Sequence, residues 1–94
     1  MHNMVYLIGR LNNELVMKGD TVEIELAVQR AFKNEDGIYE IDFIPVKLSG
    51  QIALNTIEYV KKGDLVGIKG RIEMNDTLKV VCDKISFLAS KRED

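Results

Sequence analysis

The sequence has one histidine and one cysteine, too few for most catalytic and metal-binding chemistry. His2 stands at the chain terminus, so neither a serine nor a cysteine nucleophile has a plausible base. Cys82 alternates with apolar neighbours, which indicates a small core residue, and a lone cysteine excludes an internal disulfide. It also fits a reducing, cytoplasmic compartment. We therefore expect no enzyme activity, no metal site and no cofactor.

The sequence also lacks an excess of basic residues and a long apolar run. Its net charge of −2 and pI near 5.4 give no global indication of nucleic-acid binding. There is no run of 18 apolar residues, and Met1–Asn3 leads straight into a strand pattern, so we expect neither a membrane span nor a signal peptide. The 94 residues predict one small domain over residues 1–90 and a short frayed end over residues 91–94.

The stretch 42–71 carries the strongest pattern and predicts a strand, a helix and a second strand. Its first part alternates with the period of a strand that is buried on one face, through Ile44, Val46 and Leu48. Ser49 or Gly50 can then cap a helix. The apolar face of that helix comprises Ala53, Leu54, Ile57 and Val60. Lys61 and Lys62 suit the negative end of the helix dipole, and Gly63 can take the left-handed conformation that ends a helix. Period 2 resumes at Val66, Ile68 and Ile72.

Three further strands are predicted around this stretch. The first is Met4–Leu11, with Val5 and Leu7 on one face. The second runs through Val22, Ile24, Leu26 and Val28, and a long hairpin over residues 34–37 joins it to the strand that follows. The last begins after a tight turn at residues 75–77, and its alternation shifts near Asp83, which predicts a bulge. Pro45, the only proline, predicts an edge or a bulge at its position. Gly67 and Gly70 are expected to relieve crowding where a curved strand bends, because their spacing fits no nucleotide-binding loop.

Five strands with one helix between the third and the fourth is the element order of the OB-fold. The fold class is therefore predicted as all-β, a five-stranded Greek-key barrel, and such barrels bind oligonucleotides or oligosaccharides across a strand face. The element order alone does not say which ligand is bound.

Six segments in order along the chain resemble the DNA-binding domain of bacterial single-stranded DNA-binding proteins. They are VYLIGRL (5–11), LAVQRAF (26–32), KNEDG (33–37), DFIPV (42–46), EYVKKG (58–63) and LVGIKGR (65–71). The resemblance implies an OB-fold, a homo-oligomer (tetramer or dimer), and binding of single strands without sequence preference in DNA replication, recombination or repair.

The sequence departs from the family pattern at three places. The long tail with an acidic, apolar tip that recruits replication and repair proteins has no counterpart, because the sequence ends at Glu93–Asp94. The arm between strands four and five is reduced to residues 74–77. Ser49 stands where many members carry an aromatic residue. Small tail-less relatives such as primosomal replication protein N share the fold. The alternative function is therefore a protein-interaction module with weak or no DNA binding.

Binding a single strand needs aromatic faces for bases and cations for phosphates. Strand parity points Phe43 and Lys47 outward together, whereas packing under a loop or at a subunit interface is the structural alternative for Phe43. Phe32 has the parity of the core residues before it, so a core or rim position competes with stacking. Tyr39 lies across the predicted hairpin from Phe32 and could stack or pair with it.

Cations of the outward rows complete the predicted surface. Lys69 and Arg71 share one parity, and Arg10 of the first strand could join them, although a charged face is more often merely solvated. The predicted binding residues for single-stranded DNA, or RNA, are Arg10, Arg30, Phe32, Lys33, Tyr39, Phe43, Lys47, Lys69 and Arg71.

Overall fold

The structure is a computed structural model that describes residues 1–91. Within these residues, six strands and one helix follow one another. The strands are β1 (Val5–Leu11), β2 (Met17–Lys18), β3 (Thr21–Lys33), β4 (Tyr39–Ser49), β5 (Leu65–Met74) and β6 (Leu78–Ala89). Helix α1 (Gly50–Tyr59) connects β4 to β5. The five long strands and the helix are the predicted elements.

The five long strands close a barrel in the order β1-β5-β6-β4-β3, and β3 returns to β1. All neighbours are antiparallel except β4 and β6, which pair in parallel at Val46–Val80 and Lys47–Val81. The closing contact between β1 and β3 is also short and joins Arg10 to Ala27 and Leu11 to Leu26. This is the Greek-key barrel of the OB-fold, and the predicted fold class is confirmed.

The core fills the barrel with one face of each strand, as the alternation predicts. The buried apolar residues are Leu11, Val22, Ile24, Leu26, Val46, Leu48, Ala53, Val60, Val66, Ile68, Val80 and Cys82. Burial raises the pKa of the Cys82 thiol to about 11, because removal from water and the nearby Asp83 carboxylate both disfavour the thiolate. Cys82 is therefore a packing residue, as expected.

Helix α1 covers the barrel with a face that is shifted from the predicted one. Ala53 is buried, but Leu54 is half exposed, so its predicted place on the apolar face is wrong. Thr56 takes that place, because its hydroxyl donates to the carbonyl of Ile52 (2.7 Å) and satisfies its own polarity. Ser49 is the N-cap, although its side chain makes no capping hydrogen bond.

The helix ends at Tyr59, two positions before the first of the lysines expected at its end. Val60 is already extended, so Lys61 and Lys62 lie beyond the last turn, and their predicted place at the end of the helix dipole is wrong. Gly63 adopts the predicted positive φ (+94°), but it lies in the turn from Lys61 to Asp64 beyond the helix, so its predicted role in ending the helix is wrong. The side chains of Lys61 and Lys62 consequently point from a loop rather than from a helix.

Several predicted irregularities are present. Gly70 lies opposite Cys82 and Lys69 opposite Lys84, which leaves Asp83 as the extra residue of a β-bulge. Pro45 precedes the first residue of β4 that pairs with β6, so β4 has a single neighbouring strand there, as at an edge. Of the frayed end expected over residues 91–94, only Lys91 lies within the described residues, and its backbone N–H donates to the Asp64 carboxylate (3.1 Å).

Candidate nucleic-acid interface

Three strands place Arg10, Ala27 and Phe43 in one row on the outside of the barrel. Arg10 of β1 is opposite Ala27 of β3, and Ala27 is opposite Phe43 of β4. Because neighbouring strands lie about 5 Å apart, the backbones at Arg10 and Phe43 are separated by about 10 Å. Only the methyl group of Ala27 stands between them. The surface between the cationic and the aromatic side chain is therefore open.

Arg10 and Ala27, but not Phe43, line a trough of about 330 Å³ between β1 and the β3–β4 hairpin. Ile8 and Leu65 line one side of it, and Gln29 and Ile41 line the other. Phe43 is 54% exposed, and its neighbour in sequence, Ile44, packs against the core. The predicted outward parity of Phe43 is therefore present, and its ring is accessible for stacking.

The tip of the β3–β4 hairpin presents two further aromatic rings. Phe32 is 85% exposed, so the alternative core position for this residue is wrong. Its parity is misleading because every residue of β3 from Gln29 to Lys33 is exposed, on both faces of the strand. Tyr39 lies opposite Lys33 instead of Phe32, and the Lys33 ammonium is 5.5 Å from the centre of the Tyr39 ring.

The turn of this hairpin is ordered by one side chain. The amide oxygen of Asn34 accepts hydrogen bonds from the backbone N–H groups of Asp36 (2.9 Å) and Ile38 (3.0 Å). The rings at the tip are thus carried on a defined turn.

Arg30 is already paired with carboxylates. Its guanidinium contacts both oxygens of Asp42 (3.0 Å each) and one oxygen of Glu40 (2.6 Å). The hydrogen bond from Arg30 holds the pKa of Asp42 below its ordinary value of 3.8. A phosphate would have to compete with two carboxylates for this side chain.

Lys47 and Arg71 belong to a different row, on the far side of β4. Lys47 is opposite Val81 of β6, and Val81 is opposite Arg71 of β5. Arg71 forms salt bridges with Glu73 (3.0 Å) and with Asp83. Lys47 lies opposite Glu23 across the β3–β4 pair. The pKa of the Glu23 carboxyl group is lowered, mainly by a hydrogen bond from Lys79. Positive and negative groups therefore alternate on this side.

Lys69 lies on a third part of the surface, beside residues that the sequence analysis did not select. Tyr6 of β1 and Lys84 of β6 are its cross-strand neighbours. Tyr6 is exposed, and its hydroxyl lies over Gly67, 3.2 Å from where a Cβ would stand. No salt bridge among residues 1–91 involves Lys69 or Lys84.

The nine predicted residues thus occupy five places. Arg10 and Phe43 share a row, and Phe32, Lys33 and Tyr39 form the hairpin tip. Arg30 is ion-paired on the hairpin, and the remaining three cations lie on other parts of the barrel. Ala27, Gln29 and Ile41 were not predicted from the sequence, although Ile41 has the parity of Phe43 and could have been found from it.

The described residues form neither a metal-binding cluster nor a membrane-spanning helix. Among residues 1–91, no group of three or more His, Cys, Asp or Glu side chains is placed to hold a metal ion. No helix in the described part of the chain is long and apolar enough to cross a membrane.

The sequence matches the model of the single-strand binding protein family over residues 2–85. It is 38% identical to single-stranded DNA-binding protein B of Bacillus subtilis, an alignment that covers 97% of this chain and 94% of the relative. It is 33% identical to single-stranded DNA-binding protein 1 of Clostridium acetobutylicum, with 97% of both chains covered.

Solved structures show the same fold. The mitochondrial single-stranded DNA binding protein of S. cerevisiae has a TM-score of 0.75 at 23% identity and covers 95% of this chain and 98% of its own. The single-stranded DNA binding protein of Thermus aquaticus has a TM-score of 0.74 at 26% identity, with 93% of this chain and 50% of that chain covered.

Proposed function

The chain belongs to the single-strand binding protein family, and from this premise we propose that it binds single-stranded DNA without sequence preference. The observation that carries the proposal is the row of Arg10, Ala27 and Phe43, where an exposed ring and a guanidinium lie on either side of the open surface over Ala27. Stacking is tolerant of sequence because every base has a flat π-face. The family match does not favour the alternative of a protein-interaction module.

The binding surface in this proposal consists of the trough beside Ala27 and the hairpin tip. Phe43, Phe32 and Tyr39 would stack bases, and Arg10 and Lys33 would contact phosphates. The other four cations would contribute less. Arg30, Lys47 and Arg71 lie beside carboxylates, and Lys69 lies apart from the rings.

The proposal extends to the setting of the protein. Members of the family are non-enzymatic DNA-binding proteins, in agreement with the expectation that this chain is not an enzyme. We propose that it acts as a homo-oligomer in replication, recombination or repair, in the cytoplasm, which is where bacteria such as those of the relatives keep their DNA.

Titration of fluorescent oligo-dT with the full chain, at two salt concentrations, tests the proposal. Binding should be saturable, and each phosphate contact should contribute about 0.7 to the slope of log affinity against log salt. Mixed-sequence oligonucleotides of equal length should bind with similar affinity. Absence of binding at low salt, with the protein folded by circular dichroism, would overturn the proposal.

A further inference from the structure

A second groove with basic and aromatic residues lies beyond the end of helix α1. Its volume is about 390 Å³, and Tyr59, Lys61, Lys62, Phe87 and Lys91 line it together with Ser90 and Asp64. The sequence assigned Lys61 and Lys62 to the helix end, but the helix stops at Tyr59, so both ammonium groups extend from a loop.

The groove presents three lysines to solvent, and two of them, Lys61 and Lys62, also line a second pocket together with Glu14. No salt bridge among the described residues involves any of its three lysines. Asp64 is the one carboxylate among its lining residues, and it is buried. Its two oxygens accept the backbone N–H groups of Lys61 (2.9 Å) and Lys91 (3.1 Å). The carboxylate is thus occupied in holding the loop and does not neutralise the ammonium groups at the surface.

The two rings of the groove are accessible. Tyr59 is 70% exposed and Phe87 is 51% exposed, and neither belongs to the buried core. Exposed rings beside a run of cations are the combination that binds single strands, since bases stack and phosphates are neutralised along one path.

Gly63 connects this groove to the trough beside Ala27. The Arg10 guanidinium, which stands in the row with Phe43, donates to the carbonyl oxygen of Gly63 (3.0 Å). The side chain of Lys91 packs against the same glycine, 2.5 Å from the position that a Cβ would occupy. Arg10 and Lys91 therefore both contact one residue, and the cationic surface continues from the trough into the groove.

We propose that a single strand bound on the row of Arg10, Ala27 and Phe43 continues over Arg10 into the groove of Tyr59, Lys62 and Lys91. This inference rests on the proposed function and adds a second segment to the binding path. An acidic peptide would satisfy the same lysines, but continuity with the Arg10 row favours a nucleic acid.

The test compares a short oligo-dT of about 5 nucleotides with a long one of about 16, a span within the site sizes of OB-folds. For the long strand, Tyr59→Ala should weaken binding about 5- to 150-fold, the loss of one stacked base. Lys62→Ala should lower its salt slope by about 0.7. Neither substitution should change binding of the short strand, which the trough and the hairpin accommodate. Lys62→Glu should weaken binding of the long strand more than Lys62→Ala, and it tests the groove independently of Tyr59.

Matched controls come from the same chain. Leu54→Ala removes an exposed apolar side chain from the same helix outside the groove, and Lys18→Ala removes a lysine of β2 that lines neither surface. Both controls should bind the long strand as the unmodified protein does. Thermal melting verifies that each variant is folded.

Three outcomes would overturn the inference. One is an unchanged affinity of Tyr59→Ala and Lys62→Glu for the long strand. Another is an equal loss for short and long strands, which would place the groove outside a continued path. The third is Lys62-dependent binding of an acidic peptide without any effect on the long strand. Failure of the unmodified protein to bind either oligonucleotide would instead overturn the proposed function, so the two failures are distinguishable.

Discussion

Phe43 is the residue whose substitution separates a binding role from a structural one. Its ring is half exposed on the outside of the barrel, so Phe43→Ala should leave no core cavity. Loss of one stacked base, roughly 1–3 kcal/mol, should weaken oligo-dT binding about 5- to 150-fold. The loss should depend little on salt because a stacked ring releases no counterion. Fluorescence titration at two salt concentrations measures both effects.

Thermal melting of the same variant is the control. A buried Phe would destabilise the fold by about 3–5 kcal/mol on truncation. A large fall in melting temperature, with affinity unchanged in the folded fraction, would contradict the position of Phe43 on a binding surface.

Arg30 and Lys33 are close in sequence, but their substitutions should differ in effect. Because Arg30 is held by Asp42 and Glu40, Arg30→Ala should change the salt slope of binding much less than Lys33→Ala, for which about 0.7 is expected. Asp42→Asn should raise affinity, since it removes a negative charge and releases part of the guanidinium. Equal slopes for Arg30→Ala and Lys33→Ala would show that phosphate displaces the carboxylates.

At the residue scale, the sequence predicted the exposure of side chains better than the residues with which they interact. Outward parity placed Phe43 correctly, because β4 is regular around it. The ion pairs of Arg30 could not be predicted from parity, since parity gives the face on which a side chain lies and not the residue opposite it. Phe32 has core parity and yet is exposed because both faces of β3 are exposed from Gln29 to Lys33.

At the scale of the elements, the bulge at Asp83 brings β5 and β6 very close together. A Cβ on Gly70 would lie 2.1 Å from the carbonyl oxygen of Val81, so Gly70→Ala must displace backbone. We expect a loss of about 1–3 kcal/mol, or a fall in melting temperature of about 4–8 °C per kcal/mol for a domain of this size.

Gly67→Ala is the matched substitution on the same strand. Its Cβ would meet only the Tyr6 hydroxyl, at 3.2 Å, and that side chain can move. Calorimetry should therefore show a clearly smaller loss for Gly67→Ala. Equal losses would indicate that β-strand glycines matter here for reasons other than the close approach at the bulge.

Long periodic elements were predictable, and short or partly polar ones were not. The alternation of Val22, Ile24 and Leu26 runs long enough to identify β3, whereas the two residues of β2 are too few to form a period. The place of Leu54 was wrong because Thr56 satisfies its hydroxyl within the helix and can be buried instead. A pattern that counts only apolar residues cannot anticipate this exchange.

At the scale of the whole molecule, the exposed edge and outer face of β1 indicate that the protein forms a homo-oligomer. It pairs with β3 only at Arg10 and Leu11, so in the described residues its edge from Val5 to Gly9 on that side has no partner strand. Tyr6 and Ile8 are also half exposed or more on its outer face. We expect a dimer at least, formed through the Val5–Leu7 part of β1 and not through Ile8, which lines the trough beside Ala27, because an unpaired edge and an apolar face favour association.

Light scattering at tens of micromolar protein measures the assembly state. Tyr6→Lys should shift the population towards monomer, whereas Leu54→Lys, another exposed position, on α1, should not. A monomeric unmodified protein would contradict the expectation.

The barrel topology itself was predictable from the order of strands and helix, because few folds accommodate five strands with a single helix in that place. The trough was not predictable, since it depends on which residues of β1 meet the β3–β4 hairpin. Ala27 and Phe43 are paired within that hairpin, and Arg10 joins them only through the closure of β1 on β3.

The parallel contact of β4 with β6 has a consequence for the kinetics of folding. The residues that meet there, Val46 with Val80 and Lys47 with Val81, are far apart in sequence, and helix α1 and strand β5 lie between them. The chain must therefore lose the entropy of a long loop before these pairs stabilise it, and such non-local closure slows folding to roughly milliseconds to seconds. The β3–β4 hairpin can form much earlier, because its partners are local in sequence. In a refolding chain, the surface that carries Phe43 would thus be half built, with Ala27 in place opposite it, well before the barrel behind it closes.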